Sequence, residues 1–172
     1  ILCKALSFLI FCRCHSDFRR KQDTLHFIKK AEKDTLAVYK YPEGTLVDLN
    51  EADTTELKKI PGIGSGIARM IVAYRKRLGG FYDMAQLKEV NYVDEDMLRW
   101  FKLGNAPIHR INANKAGLDK LRSHPYMNFY QAKVIIEYRR KKGKLKSLSQ
   151  LSLYEEFTEK DLERLSHYLA FD

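Results

Sequence analysis

Beyond residue 14 the chain has no cysteine: all three, Cys3, Cys12 and Cys14, lie at its start. Disulfides and cysteine-bound metals are thereby excluded as props for the rest, which must hold by packing. The segment CRCH (12–15) offers Cys12, Cys14 and His15, but a structural zinc site takes four ligands at hairpin spacings that C-x-C-H does not supply. Long hydrophobic runs are also missing. The apolar stretch 5–12 is too short to span a bilayer, and Arg13, Arg19, Arg20 and Lys21 follow it. That arrangement suits a truncated membrane anchor and equally a short helix docked on the domain; Phe11 before Cys12 makes a poor lipoprotein site. No segment alternates polar and apolar residues with period two, which points away from half-buried sheets and toward an all-α class. Neither G-x-x-x-x-G-K-[ST] nor a G-x-G-x-x-G after a strand occurs, so a mononucleotide fold is not expected. His109, His124 and His167 have no H-x-x-x-H partner and read as ordinary surface or packed residues.

What is present is charge and repetition. The 172 residues carry 31 Lys and Arg against 22 Asp and Glu, a net charge of +9 that favours polyanionic partners. Residues recur at a constant offset of 64: Asn50 with Asn114, Ala52 with Ala116, Leu57 with Leu121, Pro61 with Pro125, Ala68 with Ala132, Ile71 with Ile135, YRKR (74–77) with YRRK (138–141), and Leu87 with Leu151. The expected plan is a basic N-terminal segment over 1–46, one repeat over 47–106 and a second over 107–172. In the first repeat Asp53 caps a short helix reaching about Lys59, and Pro61-Gly62 stops it. A second helix follows from about Gly66 to Arg77, with Ile67, Met70, Ile71, Tyr74 and Leu78 as its apolar stripe and Gly79-Gly80 as its end. MAQLKEV (84–90) and DEDMLRWF (94–101) read as two more short helices, and Ser147 and Thr158 as caps of their counterparts.

The turn IPGIGSG (60–66) opening that second helix is an anion site in principle, because the first amides of a helix point outward unpaired. Gly62 and Gly64 are expected to reverse the chain through angles closed to other residues, and the missing side chains let a phosphate oxygen approach the amides. Gly62, Ile63, Gly64, Ser65 and Gly66 would bind through the backbone, Ser65 adding a hydroxyl and Arg69 a charge one turn later.

Residues 49–90 resemble the helix-hairpin-helix domain of ComEA-type competence proteins. The likeness rests on the LN-x-A opening, the L-x-x-I-P-G-I-G hairpin, the A-x-x-I-x-x-Y-R helix and the G-x-F exit, and it recurs more weakly over 111–170. It implies two tandem small helical bundles of SAM-like form, each with two hairpins, that bind double-stranded DNA without reading sequence. It also implies a role in DNA uptake, an extracytoplasmic or membrane-held location with a cytoplasmic one as the alternative, no catalysis and no organic cofactor. A monovalent cation at the 60–65 hairpin is compatible with the family. Tandem bundles of this kind also resemble scaffold modules of type II secretion assemblies, which contact protein and not DNA.

Three of the four expected hairpins depart from the pattern. Asp94, Glu95 and Asp96 stand at the second hairpin, LYEEFTEKD (153–161) at the fourth, and HPYMNFYQA (124–132) keeps Pro125 but replaces the glycines with bulky residues. Tyr126, Phe129 and Tyr130 there are expected in the core or an interface. Residues 47–106 carry nine bases against nine acids, whereas 107–172 carry thirteen against eight. The run RRKKGKLK (139–146) makes Arg139, Arg140, Lys141, Lys142 and Lys144 candidates for tracking a DNA backbone, although bases at a helix C-terminus are favoured by the dipole in any protein. Contact by this second repeat with a protein partner is the alternative.

Overall fold

In the first repeat two short strands, β1 (Val47–Asp48) and β2 (Phe101–Lys102), pair in parallel and tie its beginning to its end. Between them run α1 (Thr54–Leu57), α2 (Ser65–Leu78), a 3-10 turn (Met84–Glu89) and α3 (Glu95–Leu98). The second repeat follows the same order: β3 (Ile111–Asn112), α4 (Leu118–Arg122), α5 (Phe129–Lys142), a 3-10 turn (Leu148–Gln150), α6 (Glu159–Ser166) and β4 (Leu169–Ala170), the last paired with β3. This computed structural model describes residues 39–172; the cysteines, the apolar stretch 5–12 and the basic residues that follow it lie outside the described residues, and so do the zinc and anchor readings made of them. The class is all α, with strands of two residues each among the described residues.

Local sequence explains the elements. The Asp53 carboxylate accepts from the Thr55 and Glu56 amides, and those bonds hold its pKa below the usual carboxylate range. Ala68, Ile71 and Leu78 bury one face of α2, while Ile67, Met70 and Tyr74 flank it half-buried. Gly79 ends the helix at φ 93°, its N–H on Arg75 O; a Cβ there would fall 2.4 Å from His109 O, so glycine is required on both counts. The expected helix over 94–101 stops at Leu98, because buried Trp100 and Phe101 turn into the strand pairing: Val47 N–H donates to Trp100 O at 2.8 Å.

The repeated asparagines and arginines have structural work. Asn50 clasps the backbone of Phe81, donating to its carbonyl at 2.9 Å and accepting from its amide at 2.8 Å. Asn114 does the same to Leu145 at 2.9 and 2.8 Å. Arg75 donates to Leu49 O and Ala52 O, and its counterpart Arg139 to Ala116 O.

Each repeat has its own core, but the two are joined within one unit, Lys40–Asp172. The last helix is four residues in the first copy and eight in the second, so the offset between copies grows from 64 to 68 by Trp100 and Tyr168. That added turn brings Arg164 to 3.5 Å from Glu89 and sinks Tyr168, fully buried, into the core of the first repeat. The Tyr168 hydroxyl donates to Gly80 O at 2.9 Å and accepts from Gln86 Nε2 at 3.0 Å. Glu89 also accepts from the Tyr126 hydroxyl at 2.7 Å and from that of Tyr74. Burial and Glu89 together push the Tyr126 phenol up to about 12. His124 is buried with its Nε2 3.1 Å from Leu78 O and its Nδ1 accepting from the Tyr126 amide, which fixes a neutral ring protonated on Nε2.

Candidate nucleic-acid interface

The first hairpin is anchored from below by Ile60 and Ile63, both fully buried, with the Ile63 amide donating to Ile60 O at 3.2 Å. Ile63 is therefore a core residue whose N–H is spent within the turn. Gly62 carries the reversal at φ 84°. Gly64 does not share that duty: its φ of −92° and ψ of 177° are ordinary extended backbone, so the expectation of positive φ holds for Gly62 alone. What Gly64 and Gly66 supply is clearance, since a Cβ on either would meet nothing within 4 Å. Helix α2 starts at Ser65 with no side-chain cap, and Ala68 is the first residue to return a bond, to Gly64 O. Among the described residues the amides of Ser65, Gly66 and Ile67 thus have no acceptor, at the positive end of a fourteen-residue helix and beside the space left open over Gly64 and Gly66. Arg69 is exposed beside them, its Nε donating to Ser65 O at 3.2 Å.

The equivalent turn of the second repeat shows what closes such a site. Asn128 stands where the first copy has Gly64, and its side chain accepts from the Gln131 amide at 2.9 Å while Gln131 Oε1 accepts from the Asn128 amide at 2.9 Å. This capping box satisfies from within the Gln131 amide, the counterpart of the Ile67 amide that α2 leaves open. Phe129 and Tyr130 project where Ser65 and Gly66 lie, and both are exposed, unlike half-buried Tyr126. The remaining hairpins are no better suited to a phosphate. Helix α3 is preceded by Asp94 and has Glu95 and Asp96 in its first turn, and α6 is capped by Thr158, boxed by Asp161.

The basic run divides. Arg139 holds Ala116 O at 2.6 Å and is half-buried, so it belongs to the fold as Arg75 does. Arg140, Lys141, Lys142 and Lys144 are exposed. Lys141 lies 3.5 Å from Glu137, a weak surface pair, and Lys142 sits 5.4 and 5.6 Å from the Tyr138 and Tyr154 ring centroids. Arg140 and Lys144 edge a shallow hollow with Asn114 and Gly143. Among the described residues no three His, Cys, Asp or Glu side chains come together as a metal site, and no helix is long and apolar enough to cross a membrane. Sequence reasoning passed over the Asn128–Gln131 box, although N-x-x-Q before a helix is a legible capping signal.

Two tandem bundles, one with an open amide turn, define a protein of nucleic-acid-binding type. The chain belongs to the helix-hairpin-helix family: the helix-hairpin-helix motif is matched over residues 43–100 and again over 107–170. Among curated proteins it is similar to the mouse endonuclease/exonuclease/phosphatase family domain-containing protein 1, 27% identical over 154 residues, which cover 70% of this chain and 27% of the relative. The Xenopus laevis protein of the same name is 25% identical over 146 residues, covering 70% of this chain and 26% of the relative. The chain thus spans about a quarter of the length of the curated relatives it matches. No solved structure matches it.

Proposed function

We propose that this module holds double-stranded DNA without reading its sequence and without catalysing a reaction on it. The observation that carries the reading is the uncapped start of α2, where the amides of Ser65, Gly66 and Ile67 have no acceptor among the described residues and Gly64 and Gly66 leave the space beside them clear. A phosphate oxygen there accepts charge-assisted hydrogen bonds at the positive end of the helix, and Arg69 adds a cation by leaving the Ser65 carbonyl. Arg140, Lys141, Lys142 and Lys144 add a diffuse field on the second repeat. Such contacts position a protein on a duplex but carry no sequence information. The relatives' printed name includes an endonuclease/exonuclease/phosphatase domain, which supports a module that grips the polymer within a larger protein over one devoted to DNA uptake.

The test is a salt titration on two unrelated duplexes. Two to four neutralised phosphates give a log–log slope of roughly −2 to −4, at about −0.9 each. A slope near zero, or a tenfold preference between the duplexes, rejects the reading. The self-capped third hairpin and the acidic start of α6 favour a second reading, in which the second repeat docks a protein. Changing Lys141, Lys142 and Lys144 together to Ser separates the two: weaker binding assigns that face to DNA, and unchanged affinity at low and physiological salt assigns it to protein.

A further inference from the structure

Three carbonyl oxygens of the first hairpin converge on one ammonium. Lys40 Nζ lies 2.6 Å from Lys58 O, 3.1 Å from Ile60 O and 3.4 Å from Ile63 O. These oxygens belong to the turn leaving α1, where Pro61 has no N–H to return and Gly62 reverses the chain. Among the described residues neither Lys58 O nor Ile63 O accepts from a backbone amide of the turn, and Ile60 O accepts from Ile63 with one lone pair only. Unpaired carbonyls at a helix end carry partial negative charge and attract a cation. Three of them aimed at one point replace a hydration shell, as rings of carbonyls do for potassium ions.

The lysine is delivered to this point by its neighbours. The Tyr41 amide donates to Lys59 O at 2.8 Å, between two of the converging carbonyls, and Lys59 Nζ lies 5.5 Å from the Tyr41 ring centroid. The Lys40 stem therefore starts from backbone already docked on the turn.

We propose that the hairpin carbonyls form a monovalent cation site whose occupant is the chain's own Lys40 ammonium, so that the turn needs no potassium or sodium ion from solution. A free ion at the 60–65 hairpin does not fit the residues present, because each oxygen it would use is already held by the ammonium. A tethered cation has a high effective concentration at the site and is not diluted away. It keeps a fixed positive charge behind the amides of Ser65 and Gly66; only this last consequence rests on the DNA reading.

The experiment uses the full chain in three forms: the parent, Lys40→Ala, which leaves room for an ion, and Lys40→Met, whose methyl covers the carbonyls without charge. Each is melted without DNA in potassium chloride and in tetramethylammonium chloride at one ionic strength, the bulky cation being too large for the turn. The parent melts alike in both. Lys40→Ala melts lower in tetramethylammonium and recovers in potassium along a saturable curve, whereas Lys40→Met stays low in both. Duplex affinity of Lys40→Ala falls about tenfold in tetramethylammonium, the loss expected of one charge-assisted contact, and is partly restored by potassium. A parent that itself melts higher in potassium overturns the proposal, and so does a Lys40→Ala variant whose response to the two salts matches the parent's. Potassium-restored melting of Lys40→Ala with no duplex binding by any form upholds the cation site and rejects the DNA reading.

Discussion

Replacing Gly64 by Asn installs in the first hairpin the cap that the second already has at Asn128. The backbone accepts the change: Gly64 has φ −92° and ψ 177° against −86° and 173° at Asn128, and its Cβ position is empty to 4 Å. The new side chain accepts from the Ile67 amide as Asn128 does from Gln131. Since glycine is only a few tenths of a kcal/mol poorer than asparagine at a cap, stability rises by about that much, or roughly 1 to 2 °C in melting temperature. Affinity moves the other way. An amide already bonded within the protein is lost to phosphate, and a hydrogen bond to a charged group contributes about 1.5–3 kcal/mol, so duplex binding falls roughly 10- to 100-fold. Asparagine adds no charge, which separates occupancy of the amide from a change in net field. Fluorescence anisotropy on a labelled duplex beside a thermal melt reads both. A variant that melts at or above the parent and binds DNA as tightly refutes the amide site, because neither misfolding nor charge accounts for it.

Gly62→Ala forces an L side chain to φ 84° and brings its Cβ to 3.2 Å from the movable Met97 Cε, so it costs about 1–2 kcal/mol in urea denaturation. Gly66→Ala, in helical backbone with open space above, gains about 0.5–1 kcal/mol instead. Burial holds His124 neutral, down to about 4, against a backbone bond to Leu78 O and with Arg77 and Lys120 nearby. The unfolded chain takes up the proton first as pH falls below about 6.5, so stability is full above that value and is lost toward pH 4. At pH 5 the loss is about 2 kcal/mol, and His124→Gln flattens that difference between melts at pH 7 and pH 5. Tyr168→Phe leaves Gly80 O and Gln86 without the hydroxyl and lowers stability by about 1–3 kcal/mol in denaturant titration, while the salt slope of DNA binding stays that of the parent.

Much of the repeat architecture was legible because its signals are local. A constant spacing marks the copies, Asp53 and Thr158 are caps at short range, and Gly79 ends a helix by its own conformation. Roles set across distance were not. Arg75 and Arg139 sit in near-identical basic runs whose letters are the same whether a guanidinium binds phosphate or, as here, carbonyls 23 and 26 residues away. Gly62 and Gly64 look alike in sequence, yet only one takes a left-handed backbone, because which glycine turns is decided by how Ile60 and Ile63 seat in the core. Lys40 reads as one more base of the leading segment until the turn folds back on it.

Tyr168 alters what duplication means for this chain. The wall of the first core is completed by a side chain whose hydroxyl bonds to Gly80, 88 residues earlier. Recombination that transplanted the glycine turn alone would carry away a domain missing a plug, with Gln86 opened to water. A first repeat cut away from the second would lose part of its own core, so the second copy serves the first by packing alone, whatever its own hairpins touch.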